Sequence, residues 1–298
     1  MKYMKCQICS NEDISTIYDG QIRDGGIGRY TDINVNMYQC QECGVIWHNL
    51  RERDLDEYYS SEDYRQELEG TSSENDFYRI HDGETLDKLY YTGTTVFRDK
   101  IVADLGCAAG AFLDSISGMA KTVIGIEPSN VYQTALKKKG YCTFAYASDA
   151  IQEYGGKVDV LTSFDVIEHV SDPLTFLKEV HALLREKGKA IIGTPTDAPV
   201  MRAMLGQIYE KELLFSTQHL WVFNQKSLML LAKKAGFRKA SVRYFQRYGL
   251  GNALSWLKYR QPKGNVSYSF ITDTMDIVWK KELEAQGLSD YIVLNVER

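Results

Sequence analysis

From residue 100 onward, short apolar runs alternate with amphipathic stretches of helical period. Residues 101–105, 122–127, 141–145, 158–164 and 189–194 read as strands. Residues 111–117, 130–139 and 173–185 read as the helices between them, the last with Pro173 in its first turn. Strand–helix alternation of this kind implies a parallel sheet covered by helices on both faces. Residues 226–235 form a further helix stopped by Gly236, and 237–244 and 291–296 are the last two strands. The rhythm breaks at about 196–225 and again at about 246–290, which read as inserts. Ahead of the alternating region, residues 76–97 carry scattered apolar positions compatible with a helix. Residues 51–75 are polar and acidic, interleaved with Tyr58, Tyr59 and Tyr64, and read as a linker or short helix. The division expected is 1–50, a linker and helical cap over 51–97, and a main domain over 98–298.

Composition narrows the class. The chain has 298 residues, 44% hydrophobic and 25% charged, enough to bury a core without disulfides. Lys plus Arg number 35 against 40 Asp plus Glu, a net charge of -5. That balance argues against a nucleic-acid partner, which needs clustered cations. No apolar run reaches the roughly 18 residues of a membrane span. The start, Met1-Lys2-Tyr3-Met4-Lys5-Cys6, lacks the apolar stretch of a signal peptide, so a cytoplasmic location is expected.

Four of the six cysteines fall in two pairs, Cys6-Gln-Ile-Cys9 and Cys40-Gln-Glu-Cys43, thirty residues apart. In a reducing compartment such pairs read as a metal site rather than disulfides. Each pair turns two thiolates toward one ion, and Gly44 suits the left-handed residue of such a knuckle. Four sulfurs complete a closed tetrahedral zinc shell with no open position, hence a structural zinc in a small N-terminal ribbon. Residues 10–39 are long enough for a hairpin between the pairs. Residues 1–50 hold four Lys/Arg and six Asp/Glu, which disfavours a nucleic-acid-binding ribbon. Cys107 and Cys142 stand alone as small apolar fillers.

The first strand of the alternating region runs into Asp104-Leu105-Gly106-Cys107-Ala108-Ala109-Gly110. Glycines after a strand allow a sharp turn and close approach to a ligand. Glu127, twenty-three residues after Asp104, ends the next strand, where a carboxylate can accept both hydroxyls of an adenosine ribose. Two cofactors are open at this point. A nicotinamide dinucleotide would want glycine at 106, 108 and 111, but 108 and 111 are alanine. S-adenosylmethionine, with no phosphate and a cationic sulfonium, suits a roomier loop with an acid such as Asp104 beside it.

These residues, together with Gly125-Ile126-Glu127-Pro128, Ser148-Asp149 and Asp165-Val166-Ile167-Glu168-His169-Val170-Ser171-Asp172-Pro173, resemble the class I S-adenosylmethionine-dependent methyltransferases over about residues 100–245. The resemblance implies an α/β, Rossmann-like sheet of seven strands with the last antiparallel. It also implies S-adenosylmethionine as cofactor and S-adenosylhomocysteine as product. Carried over by position, Asp104, Gly106, Cys107, Ala108 and Gly110 line the methionine end and ribose. Glu127 holds the ribose hydroxyls with Pro128 beside the adenine, Asp149 and Ser148 meet the adenine amino group, and Phe164 and Asp165 lie below the methyl group. Ala108 departs from the glycine the family often has there.

The acceptor is less legible. For a hydroxyl acceptor a base must take the proton. Of the five histidines, His169 follows the fourth strand and His219 sits in the first insert near Tyr209, Trp221 and Phe223, which read as a lid; these two are the candidate bases. His48, His81 and His181 read as structural. A four-cysteine module ahead of such a core resembles bacterial methyltransferases acting on nucleotide-linked sugars and surface-polysaccharide intermediates. The best-known of these methylate sugar carbon and carry a further C-terminal domain. Here the last core strand leaves no room for one, which favours an oxygen acceptor on a sugar or sugar derivative. Tyr248-Gly249-Leu250-Gly251-Asn252 and Trp256-Leu257 in the second insert read as acceptor contacts. The alternatives are a sugar C-methyltransferase, an adenosine-cofactor oxidoreductase, an RNA or protein methyltransferase, and a non-catalytic scaffold recruited through the zinc module. A homo-oligomer stays open.

Overall fold

In a computed structural model, residues 4–48, 50, 74–264 and 266–298 are described. The linker assigned to 51–75, with its three tyrosines, lies outside them up to residue 73.

In chain order, β1 (Ile14–Gly20) and β2 (Val35–Cys40) form the hairpin expected between the cysteine pairs, followed by β3 (Ile46–His48). Helix α1 (Glu74–Thr92) precedes β4 (Ile101–Leu105), α2 (Ala111–Ile116), β5 (Thr122–Ile126), α3 (Asn130–Lys138) and β6 (Cys142–Phe144). Then come α4 (Ala147–Tyr154), β7 (Val158–Phe164), α5 (Pro173–Leu183) and β8 (Leu184–Pro195). The first insert contains α6 (Pro199–Leu205), a π-turn (Glu210–Leu214) and β9 (Trp221–Val222). After α7 (Gln225–Lys234) and β10 (Lys239–Phe245), the second insert forms α8 (Leu250–Tyr259) and α9 (Asp273–Gln286), and β11 (Tyr291–Glu297) ends the chain.

The large sheet has the order β10-β11-β8-β7-β4-β5-β6, with the last strand antiparallel. The pairs β4–β5, β4–β7, β5–β6 and β7–β8 are parallel. Its central strands are buried along nearly their whole length, as a sheet covered on both faces requires. Asp172 starts α5 by accepting from the N–H groups of Leu174 and Thr175, with Pro173 in the first turn.

The chain divides into two compact units. The second unit comprises Arg51–Gly193, Leu231–Ser241 and Leu294–Arg298. Its aromatic core is a run of edge-to-face rings: Phe97 on Phe112, Phe112 on Phe164, and Phe164 on Tyr91, with centroids 5.8, 5.2 and 5.5 Å apart. The helix expected within 76–97 is α1, and it covers the glycine turn. Phe77 packs in one cluster with Ala108, Ala109 and Tyr132, and the Tyr78 hydroxyl donates to the Ala109 carbonyl at 2.6 Å.

The first unit comprises Met1–Leu50, Thr194–Leu230 and Val242–Val293. Residues 1–50 therefore do not stand alone. β9 adds to the N-terminal sheet, giving β1-β2-β3-β9, and Trp47 pairs with Trp221. One core joins Tyr18, Ile22, Val35, Met37 and Ile46 to Met201, Phe215, Val222, Ala253 and Trp256. Trp221 and Phe223, read from sequence as lid surface, are core residues here, 4% and 1% exposed. The physical reason is that a three-stranded ribbon of this size cannot bury its own apolar face and recruits the inserts to do so.

Phe215 tests that shared core. It is buried against the edge of Tyr18, with centroids 5.2 Å apart. Phe215→Ala should cost about 3–5 kcal/mol, measured as a lower urea midpoint for the transition of the tryptophans in this unit. A loss below about 1 kcal/mol would mean that hairpin and insert are not energetically one body.

Candidate functional site

The parallel strands of the second unit deliver their C-terminal ends to one edge of the sheet, where open α/β sheets bind ligands. There the chain leaves β4 through Leu105 and Gly106, leaves β5 through Glu127, Pro128 and Ser129, and leaves β7 through Asp165 and Val166. These residues line a cleft of about 620 Å³, within the range of cofactor sites. Residues 145–148, Tyr132, His169 and the start of α5 complete the lining.

The turn after β4 is held in left-handed backbone: φ is +78° at Gly106, +46° at Ala108 and +88° at Gly110. At Gly106 a Cβ would lie 2.3 Å from Val166 Cγ2, so the glycine is demanded by both conformation and space. Ala108 adopts the left-handed geometry without a glycine's freedom, a strained residue of the sort that collects at functional sites. Asp165 is also left-handed, at φ +57°, with its N–H donated to the Gly193 carbonyl.

Glu127 is the group this turn is built around. Its carboxylate accepts from the Ala108 N–H and from the Ser129 N–H, each at 2.9 Å, and the residue is 8% exposed. Gln133 donates to its carbonyl at 2.9 Å. Two backbone donors fix the carboxylate orientation, and a carboxylate has about four lone-pair sites. In that orientation it lines the cleft.

The other residues singled out from sequence separate by position. Gly106, Glu127, Pro128, Ser148, Asp165 and His169 line the cleft. Asp104, Cys107, Ala108, Gly110, Asp149 and Phe164 are not among its lining residues. Asp104 is buried, and its Oδ1 accepts from the Thr162 hydroxyl at 2.7 Å. Burial pushes its carboxyl up to about 6, against the Thr162 hydrogen bond and the charge of Lys88. Cys107 is buried behind the turn, and burial, then the charges of Asp104 and Glu127, push its thiol up, so it is inert filler. Gly110 caps α2, and Phe164 belongs to the ring stack. Asp149 is exposed in the first turn of α4. Tyr132, Thr175 and Glu179 line the cleft without having been singled out. Tyr132 was findable as an apolar position of the amphipathic helix that follows Glu127.

His169 donates its N–H to the Val166 carbonyl, and its Nε2 lies 3.9 Å from Oε1 of the buried Glu168. His219 belongs to the first unit, where its N–H donates to Ser216 Oγ at 3.2 Å.

The four paired cysteines also belong to the first unit. Sγ of Cys6 lies 3.6 Å from that of Cys43, and Sγ of Cys9 lies 3.4 Å from that of Cys40; all four sulfurs are within 4.8 Å of one another. Sulfurs bound to one tetrahedral zinc at about 2.3 Å lie about 3.8 Å apart, so the cluster fits that ion. Both knuckles turn alike. Ser10 (φ +66°) and Gly44 (φ +72°) are left-handed, and each donates its N–H to the carbonyl of the first cysteine of its pair at 2.8 Å.

The methyltransferase-domain family matches residues 78–242 of the chain. Ubiquinone biosynthesis O-methyltransferases are among its curated relatives. That of Ruegeria pomeroyi is 25% identical over 185 residues, 58% of this chain and 71% of the relative. That of Bradyrhizobium diazoefficiens is 31% identical over 98 residues, 31% of this chain and 39% of the relative. The chain thus spans well under half of the length of one and somewhat more than two thirds of the other. Among solved structures, a Thermotoga maritima S-adenosylmethionine-dependent methyltransferase superposes with a TM-score of 0.50 at 18% identity, over 75% of this chain and 93% of that one. Haemonchus contortus phosphoethanolamine N-methyltransferase 2, in complex with S-adenosylhomocysteine, superposes with a TM-score of 0.50 at 13% identity, over 95% of this chain and 71% of that one. At such identities the likeness is one of fold.

Asp104 gives this site a pH signature. Its folded pKa of about 6 lies above its ordinary value of 3.8, so folding favours the protonated form. Stability from this group is complete below the lower value and lost as pH rises through the upper one. Asp104→Asn, neutral at every pH, should gain on the wild type between pH 4 and 6 by on the order of 3 kcal/mol and hold that lead above. Urea unfolding of both proteins across pH 4–7 reads this; parallel curves would show that the carboxyl is not perturbed.

Proposed function

The chain belongs to the methyltransferase-domain family, and from that premise we propose that it carries the methyl group of S-adenosylmethionine to an oxygen of a small hydroxylated acceptor. The observation that carries the reading is Glu127: a carboxylate buried at the end of β5, fixed by two backbone N–H groups, that lines a cofactor-sized cleft. A carboxylate in that place can accept from the two adjacent hydroxyls of a ribose. S-adenosylmethionine fits these residues and, when bound, supplies an electrophilic methyl group.

The chain's own groups do the rest. The left-handed turn at Gly106 lets backbone come close to the ligand. Pro128 and the 145–148 segment form the wall expected to face the adenine, with Ser148 on it. Asp165, exposed to the cleft at the end of β7, offers a carboxylate near a cationic sulfonium. His169 takes the acceptor's hydroxyl proton, steadied by the Glu168 carboxylate behind it. His219 is the alternative base. The relatives are O-methyltransferases by name, which supports an oxygen acceptor over carbon. Family membership sets aside the oxidoreductase alternative. Within the oxygen acceptors we retain a sugar, a nucleotide-linked sugar or a surface-polysaccharide unit. In the first unit, Cys6, Cys9, Cys40 and Cys43 hold a structural zinc, a closed shell that takes no part in the transfer. Among the described residues no helix is long and apolar enough to cross a membrane.

Two experiments test this. Charge-assisted hydrogen bonds contribute roughly 1.5–3 kcal/mol each, so Glu127→Ala should weaken S-adenosylmethionine and S-adenosylhomocysteine alike by about tenfold or more. His169→Ala should keep cofactor affinity near normal and lower turnover roughly a hundredfold on any acceptor found by screening with methyl-labelled cofactor. If Glu127→Ala leaves calorimetric affinity for both cofactor forms unchanged, the reading of the cleft fails.

For the metal, protein purified without chelator should carry about one zinc per chain by elemental analysis. Cys40→Ser should lose it and lower the melting temperature, with cofactor affinity kept within about twofold because the cleft lies in the other unit. Less than about a tenth of an equivalent in folded protein would refute the site.

A further inference from the structure

Residues 257–272 run from the end of α8 to the start of α9, and this stretch contains no Asp or Glu. Lys258, Arg260 and Lys263 lie within it, in a chain whose net charge is -5. None of the three has an acidic partner among the described residues. The stretch is tied down along α8. The Asn252 side-chain amide donates to the Gly264 carbonyl at 2.6 Å, and the Val266 carbonyl comes so close that a Cβ on Gly251 would strike it.

Its outward side chains form one group. The ammonium of Lys258 lies 4.9 Å from the centroid of the Tyr259 ring, and that of Lys263 lies 5.9 Å from it. Lys258 also senses Tyr268. Hydrogen bonding and charge at Tyr259 come first in raising the pKa of this lysine, and the Tyr268 phenol adds to them. Tyr268 in turn stacks on Phe270, with centroids 5.4 Å apart. Phe270 is 65% exposed, and Leu257 and Tyr259 are exposed with it. Single apolar residues scatter over any protein surface, but rings and cations gathered without one acid mark an interaction face.

The chemistry of the partner follows from this group. Cations without acids ask for an anionic surface. Exposed apolar and amphipathic rings beside them ask for a medium that is polar at its surface and apolar just beneath. An anionic bilayer is both. A second copy of this chain is disfavoured, because a twofold interface would set the patch against itself and bring like charges together. Single-stranded nucleic acid stacks its bases on open ring faces, whereas Tyr268 and Phe270 cover one another and Leu257 offers no ring. We propose that the face formed by Lys258, Tyr259, Arg260, Lys263 and Phe270 docks the protein on an anionic lipid surface. Among the described residues no helix is long and apolar enough to cross a membrane, so this contact is peripheral. It is separate from methyl transfer, because the face belongs to the first unit and the cofactor cleft to the second. Each Lys or Arg near an anionic leaflet contributes about fivefold in binding, so three contribute on the order of a hundredfold.

Full-length protein is floated with vesicles of phosphatidylcholine alone and with vesicles in which phosphatidylglycerol replaces part of it. It should bind the anionic vesicles at least about tenfold more tightly than the neutral ones, and raised salt should weaken that binding. Changing Lys258→Gln, Arg260→Gln and Lys263→Gln together should lower binding to the anionic vesicles about a hundredfold. Phe270→Ala should lower it about tenfold. As a control, Lys121→Gln, Lys138→Gln and Lys157→Gln together remove three exposed cations from the second unit and should leave binding within about twofold. An unchanged melting temperature reports that each variant is folded; if the first triple change lowers it, Phe270→Ala decides alone. The proposal is overturned if the anionic vesicles do not bind, if neutral vesicles bind equally well, or if the control costs as much as the first triple change. It is equally overturned if Phe270→Ala turns a dimer into a monomer in sedimentation, or if a uridine oligonucleotide binds this face more tightly than the vesicles do.

Discussion

A carboxylate placed at the end of a buried strand must find donors, and in this chain that requirement organises the cleft. Glu127 meets it with the N–H groups of Ala108 and Ser129, one from the turn after β4 and one from its own loop. For Ala108 to donate, the turn has to fold back across the end of β5, which forces left-handed backbone at Gly106, Ala108 and Gly110. That turn needs a roof, and α1 supplies one through Phe77 and the Tyr78 hydroxyl. The parallel sheet, the glycine turn, the acid and the covering helix are thus linked by one demand for hydrogen bonds. Removing the acid's side chain would release two backbone donors into a buried site.

In the first unit, packing rather than hydrogen bonding sets the terms. The two cysteine knuckles flank the β1–β2 hairpin, which has an apolar face of Tyr18, Val35 and Met37. That face is covered by Phe215, Met201 and Trp256 from the inserts. The sheet to which β9 adds is therefore held by that shared core. Tyr209 and Trp256 meet edge to face at 5.2 Å in the same core.

Much of the second unit was legible because its signals are periodic. The strands 101–105 and 158–164 match β4 and β7 residue for residue, and buried parallel strands announce themselves as continuous apolar runs. Glu127 was legible by its distance from the glycine turn. Helix α4 was not anticipated, because its buried face is two alanines, Ala147 and Ala150, which give little contrast against polar neighbours. The inserts hid their helices for another reason. α9 leaves Met275, Ile277 and Val278 exposed, so its apolar residues do not mark one face. α8 opens with Leu250 and Gly251 and ends only at Tyr259, so a glycine-rich start masks a helix. Nothing in the linear pattern showed that residues 1–50 would share a core with segments some two hundred residues later; that depends on tertiary contacts.

Three buried carboxylates show how donor supply sets what an acid becomes. Asp104 accepts from the Thr162 hydroxyl, and burial dominates, pushing its carboxyl up. It lies below the turn rather than on the cleft, so a shift toward the neutral acid costs the site nothing. Glu127 has two backbone donors on opposite oxygens and lines the cleft, which makes it the acid suited to accept from a bound ligand. Asp290 accepts from the Arg247 N–H beside the Arg247 guanidinium, and burial pushes its carboxyl up as well. What a buried acid becomes thus depends on the hydrogen-bond donors the fold brings to it and on whether it lines the cleft.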